Sequence, residues 1–211
     1  PLRGGVVAIG NFDGVHRGHQ AVLAQAREIA KRSGTDLHVL TFEPHPRTVF
    51  KPDDPVYRLT PAQLRARLLG LAGVTAVFEQ PFSRDYAAIS AEDFIDGVLV
   101  RGLGAEHVVT GNDFRFGQGR KGNVDMLREV GATAGFSLTL AEDFQDEGGE
   151  VISSTRIRAL DRTLITVANS DLAKRKIVNF SRRDRFLFRH TIGLRYETER
   201  DQVMSVVRQI H

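Results

Sequence analysis

The sequence contains no cysteine, which excludes disulfides and thiolate metal sites. No apolar run approaches the ~20 residues that a membrane-spanning helix requires. No leader pattern precedes the first apolar segment, so the expected compartment is the cytoplasm. The pattern G-x-x-x-x-G-K-[ST] does not occur, and the chain is therefore not a P-loop enzyme. A surplus of positive charge is also missing from most of the chain. Residues 1–160 carry 18 Lys/Arg against 20 Asp/Glu, which argues against a general nucleic-acid surface there. Only residues 161–211 are basic, with 11 against 6.

What is present fits one large domain, or one domain and a fragment: 211 residues, 41% hydrophobic and 26% charged. Val6 to Ile9 is a short apolar run of the kind that forms a buried strand, broken by Gly10 and Gly14. After His19, residues Ala21, Val22, Leu23, Ala26, Ile29 and Ala30 recur at helical spacing. His16 and His19 thus stand where a strand hands over to a helix. Free backbone N–H groups and the helix dipole favour an anion at such a point. Two imidazoles three residues apart share one side of the first turn, and Gly18 leaves room for a phosphate to approach. A solvated surface pair is the plainer alternative. The adjoining strand, the glycines and Asp13 favour a nucleotide site.

Further strands are expected over Asp36–Phe42, Val74–Phe78, Glu106–Thr110 and Phe136–Leu140. Helices are expected to begin at Thr60-Pro61, at Ser90 and at Val124, with Leu64, Leu68, Leu69 and Leu71 partly on one face of the first. Alternating strands and helices imply an α/β fold with a parallel sheet covered on both faces. Glu43-Pro44-His45-Pro46 reads as a rigid loop at a strand's carboxyl end, where open α/β sheets bind ligands. Gly117 to Gly122 spells G-x-G-x-x-G but is a weak dinucleotide signal, because no strand leads directly into it. It reads as a mobile basic loop whose Arg115, Arg120 or Lys121 can meet phosphate. Phe114 and Phe116 are ring-stacking or core residues. Ser153-Ser154-Thr155-Arg156-Ile157-Arg158 combines hydroxyls with arginines at a helix start, a pattern that can hold a polyphosphate or simply cap the helix.

Four ordered blocks carry a resemblance: GNFDGVHRGH, TFEPHPRTVF, GNDFRFGQGRKGN and ISSTRIR. Together they resemble the FMN adenylyltransferase half of bacterial bifunctional riboflavin kinase/FAD synthetases, which are nucleotidylyltransferases with an H-x-G-H signature. The resemblance implies a Rossmann-like fold over 1–160 and transfer of AMP from ATP to FMN, giving FAD and pyrophosphate. It implies His16, His19 and Arg158 as catalytic, and Gly10, Asn11, Phe12, Asp13, Gly18, Ser154 and Thr155 as ATP-binding. It implies Pro44, Pro46, Phe50, Asp113 and Arg115 on the flavin side, although the prolines can equally shape a turn and Phe50 can be core. Mg²⁺ is expected to be held mainly by ATP phosphates, with no metal site of protein ligands.

A second resemblance covers the tail. Residues 161–211, with DRTLITVANSDLAKRKIVNFSRRDR and FRHTIGLRYET, resemble a β-rich soluble fragment of small-conductance mechanosensitive channels, as in a chimera. Thr166-Val167-Ala168-Asn169 matches the riboflavin kinase motif only faintly, so kinase activity is not expected. The tail is a candidate for self-association. Two other readings stand beside the first: a nucleotidylyltransferase with another phosphate acceptor, and a non-catalytic nucleotide-binding module fused to a channel-derived segment.

Overall fold

The computed structural model describes residues 3–161. The chain divides between Arg162 and Thr163. The tail expected to be β-rich, with its Thr166–Asn169 motif, lies outside the described residues.

Five parallel strands form one sheet in the order β3-β2-β1-β4-β5. They are β1 (Val6–Ile9), β2 (Leu37–Glu43), β3 (Ala76–Pro81), β4 (His107–Gly111) and β5 (Ser137–Ala141). The expected α/β Rossmann-like architecture is the one observed. Register follows the apolar runs: Val6 pairs with Leu37 on one side and His107 on the other. Alternate side chains serve opposite faces. Val7, Ile9, Leu40, Phe42 and Val108 join one core, while Val6, Ala8, Leu37, Val39 and Val109 join the other. Both faces are apolar because both are covered, which is why these strands read as continuous hydrophobic runs.

The second core is closed by α1 (Arg17–Ser33), through Leu23, Ala26, Ile29 and Ala30, and by α3 (Ala62–Leu71), through Leu69. Leu71 points to solvent at 77% exposure, so the leucines of α3 do not form one stripe. The first core is closed by α6 (Val124–Ala134) and by α5 (Ala91–Asp93), which continues as a π-helical segment, Phe94–Leu103. A Cβ on Gly102 would sit 3.0 Å from the Gly97 carbonyl, five residues back, so glycine permits the wider winding.

Three expectations need correction. The Pro-His-Pro segment is not a loop throughout, because Pro46 opens the short helix α2 (Pro46–Phe50) with His45 as its cap. Proline lacks only an N–H that the first helical position leaves unused. Strand β3 starts and ends later than expected and runs through Glu79 and Gln80, since an edge strand is only half-buried and tolerates polar residues. The 117–122 loop is pinned rather than mobile: Phe116 and Gly122 form an antiparallel bridge, and Gln118 N–H donates to the Ile89 carbonyl. Gly117, at φ 69°, lies against Ala91, whose nitrogen would be 2.6 Å from an added Cβ. Gly117 and Gly122 serve packing, whereas Gly119 meets no close neighbour and serves the turn through its φ of 63°. The remaining helices are α4 (Arg84–Ala87) and α7 (Ser154–Asp161).

Candidate active site

The sheet order reverses between β1 and β4, and ligands of open α/β sheets bind at the carboxyl ends of such strands. A cleft of about 1140 Å³ opens there. It is lined from both halves of the sheet: Gly10 to Asp13, His16 and His19 from the first loop, Thr110, Gly111 and Asp113 to Arg120 from the fourth, and Ile152 to Thr155 with Arg158 from the last.

His16 is the cap of α1, and its Nδ1 accepts the His19 N–H at 3.3 Å. That bond leaves the proton of neutral His16 on Nε2, where it can be offered to a ligand. The rings of His16 and His19 are stacked, with centroids 3.6 Å apart. His19 also leans on Phe12 at 5.2 Å. Burial, followed by the neighbouring His16, pushes the His19 imidazole down to about 3. Burial lowers His16 too, against the opposing pull of Asp13. Both rings are therefore neutral near pH 7 and act as hydrogen-bonding groups rather than cations. His19 Nδ1 and Asn11 Oδ1 are buried without a partner. Both residues line the cleft, where a polar ligand can complete their bonding.

The structure sorts the remaining expected residues. Gly10, Asn11, Ser154, Thr155 and Arg158 line the cleft with the two histidines. Phe12 lines it too, yet its ring is 2% exposed and belongs to the core under α1. Gly18 is required by another close approach: a Cβ there would stand 3.0 Å from the Ile152 carbonyl. Asp13 differs most from expectation. Its carboxylate is 1% exposed and accepts from the Leu59 and Thr60 amides, the Thr60 hydroxyl and Arg158. Its acceptors are thus committed to the protein itself.

On the opposite wall, Pro46, Phe50, Asp113 and Arg115 line the cleft, while Pro44 is not among the lining residues. Phe50 is 56% exposed, so it is not core; its ring meets Phe82 edge-on at 6.0 Å. Phe116 is buried and stacks on Phe114 at 5.5 Å, which makes this pair packing residues against Phe94. Arg120 reaches the cleft, whereas Lys121 does not line it.

Sequence reasoning missed His45 on that wall. Its Nδ1 accepts the Arg47 N–H, and burial, then Arg58 and Arg158, lower it to about 4. Its place between two prolines at a strand end was the available signal. It also missed the ion network behind the loop. Arg65, with a fully buried side chain, reaches Glu43 at 3.0 Å and Glu79 at 2.7 Å, and Arg58 also binds Glu43. Among the described residues no cluster of three His, Asp or Glu side chains is arranged to hold a metal.

Comparison with known proteins follows this geometry. The model described as FAD synthetase matches residues 1–156, and one described as the mechanosensitive ion channel beta-domain matches residues 151–182. The chain is 42% identical over 173 residues to a bifunctional riboflavin kinase/FMN adenylyltransferase of Pseudomonas fluorescens, covering 82% of this chain and 54% of the relative. It is 41% identical over 158 residues to the protein of the same name from Escherichia coli K12, covering 75% and 50%. The chain spans about half the length of these curated relatives. A solved Streptococcus pneumoniae structure named as a macrolide-efflux protein is similar with TM-score 0.65 and 27% identity, over 75% of this chain and 51% of that one. With the model match extending over most of its length, the chain belongs to the FAD synthetase family.

Proposed function

We propose that this chain is an FMN adenylyltransferase, joining the AMP of ATP to the phosphate of FMN. The observation that carries the reading is the stacked, neutral His16–His19 pair at the start of α1, beside the unpartnered Asn11 Oδ1. A phosphate oxygen of FMN attacks the α-phosphorus of ATP; the new P–O bond forms as the bond to pyrophosphate breaks. The nucleophile is already an anionic oxygen, so no covalent enzyme intermediate is needed. The protein's task is to align two anions and stabilise the charge that develops between them. His16 offers its Nε2–H, the helix start offers backbone N–H groups, and Arg158 offers a guanidinium. Ser154 and Thr155 stand at the start of α7, near the same end of the cleft. The wall bearing Phe50 and Arg115 is the proposed flavin side.

Mg²⁺ enters this reading with the substrate, held by ATP phosphate oxygens and water. In this reading His16, Arg158 and the start of α1 bind phosphate and not the metal. The cytoplasm, where ATP is supplied, is the compartment implied. Riboflavin kinase activity is proposed to be absent, since the sequence lacks a clear kinase motif. The experiment is to incubate the purified chain with Mg²⁺, ATP and FMN and separate the flavins by chromatography. FAD with an equal amount of pyrophosphate supports the reading; unchanged FMN overturns it. Riboflavin in place of FMN should give no product, and FMN formation there would refute the kinase statement.

A further inference from the structure

Both ends of the first turn of α7 hang on one residue. Ser154 Oγ donates to the Asp13 carbonyl at 2.9 Å, and Arg158 Nη2 donates to Asp13 Oδ2 at 3.1 Å. Positions i and i+4 share a helix face, so the spacing of this serine and arginine lets one loop residue hold both. The other anchor of Arg158 is the Tyr57 carbonyl, which accepts from Nε at 2.9 Å. That segment is itself held by Asp13, which takes the Leu59 and Thr60 amides at 3.0–3.1 Å. Thr60 Oγ1 closes the knot by accepting the Gly14 N–H at 3.0 Å. Each of these contacts to the Arg158 guanidinium is therefore to Asp13 or to a segment that Asp13 fixes.

We propose that Asp13 is a positioning residue: it sets Arg158 and the first turn of α7 against the polyphosphate subsite without touching the nucleotide. The proposal rests on the adenylyl-transfer reading above. An arginine side chain has many rotamers, and its fork is useful only when held in one geometry. A misplacement of about 1 Å at a charged group can cost about 10²-fold in rate. A carboxylate that is 1% exposed, against a guanidinium that is 15% exposed, supplies such a hold while leaving the arginine on the cleft wall. This reading separates two tasks that the sequence motif runs together. The histidines face the ligand, and the aspartate three residues before His16 organises a helix distant in sequence.

The test is a double-mutant cycle on the full chain with Asp13→Asn, Arg158→Lys and both together. Asn keeps an oxygen for the Leu59 and Thr60 amides but turns an NH₂ toward Arg158. Asp13→Asn should lower kcat, expressed per folded chain as fixed by its thermal melt, about tenfold or more while KM for FMN stays within about twofold, the pattern of a lost interaction made only in the transition state. The double variant should be about as active as Arg158→Lys alone, since the aspartate acts through that arginine. Additive losses, or KM for FMN rising together with the fall in kcat, would overturn the proposal. If circular dichroism shows that the Asn variant has not folded, Asp13→Glu takes its place. That change keeps the charge but displaces the arginine, so wild-type kcat there also overturns it. Failure of the parent chain to make FAD would sink the functional reading instead. In that event the cycle is read from MgATP affinity by calorimetry, where Asp13→Asn should weaken binding about tenfold alone and not further beside Arg158→Lys. Unchanged affinity in Asp13→Asn would refute the positioning role.

Discussion

Replacing His19 with alanine tests its proposed part in adenylyl transfer apart from the stability of the fold. The ring stacks on His16 at 3.6 Å and leans on Phe12 at 5.2 Å, so its truncation removes packing. Its Nδ1 has no partner in the protein, so no intramolecular side-chain bond at that atom is lost. A fully buried aromatic truncated to alanine costs about 3–5 kcal/mol, and this half-buried imidazole should cost roughly 1–2 kcal/mol. Loss of one preorganised donor to a developing charge costs about 10²–10³ in kcat, or about 3–4 kcal/mol. Activity should therefore fall about a hundredfold or more in a chain that still melts cooperatively. His16→Ala differs, because it also removes the cap of α1, worth about 1 kcal/mol. The assay is kcat and KM for both substrates, beside thermal melts of each variant. Turnover within about fivefold of the parent in a folded His19→Ala chain would remove His19 from the mechanism, since the loss predicted for one donor is far larger.

Acid should destabilise the protein. His19 near 3 and His45 near 4 stay neutral in the folded state, while the unfolded chain protonates both near 6.5. Stability is then complete above about pH 6.5 and falls as pH drops toward 4, with uptake of about two protons on unfolding near pH 5; a flat denaturation midpoint across that range would contradict it. Arg65→Met should cost about 1–3 kcal/mol, because Glu79 loses its partner and Glu43 keeps only Arg58, while both carboxylates retain access to water, and an unchanged melting temperature would show the network to be idle. Truncation after Arg162 should leave FAD formation and FMN affinity intact, since all four sequence blocks precede that point; loss of both in a folded truncated chain would show that the removed residues complete the site.

Most of the sheet was legible because β1, β2 and β4 are buried on both faces, and burial writes itself as an unbroken apolar run. The edge strand β3 was legible only in its first half, up to Phe78, since Glu79, Gln80 and Pro81 are half-buried or exposed and carry no such signal. The Phe94–Leu103 segment reads as helix either way, because Phe94, Ile95, Val98 and Leu99 do not distinguish a fourth-residue from a fifth-residue bond. The motif blocks named segments that line the cleft, but not each side chain's contacts. Asp13 and Phe12 lie inside the block that builds the site, yet one holds Arg158 and the other fills the core. Those roles depend on partners 46 and 145 residues away. No local spacing contains them. The Glu43–Arg58–Arg65–Glu79 network was invisible for the same reason, because it joins residues from β2, the connection before α3, α3 and β3 that meet only once the sheet has formed.

The central claim is that the α-phosphate of ATP is transferred to FMN. Labelled ATP tests it most directly, with phosphorus label placed at the α position in one reaction and at the γ position in another. The purified chain, given FMN and Mg²⁺, should carry the α label into FAD and release the γ label as pyrophosphate. Label released as inorganic phosphate alone, or an α label that never leaves the adenine nucleotide pool, would contradict adenylyl transfer.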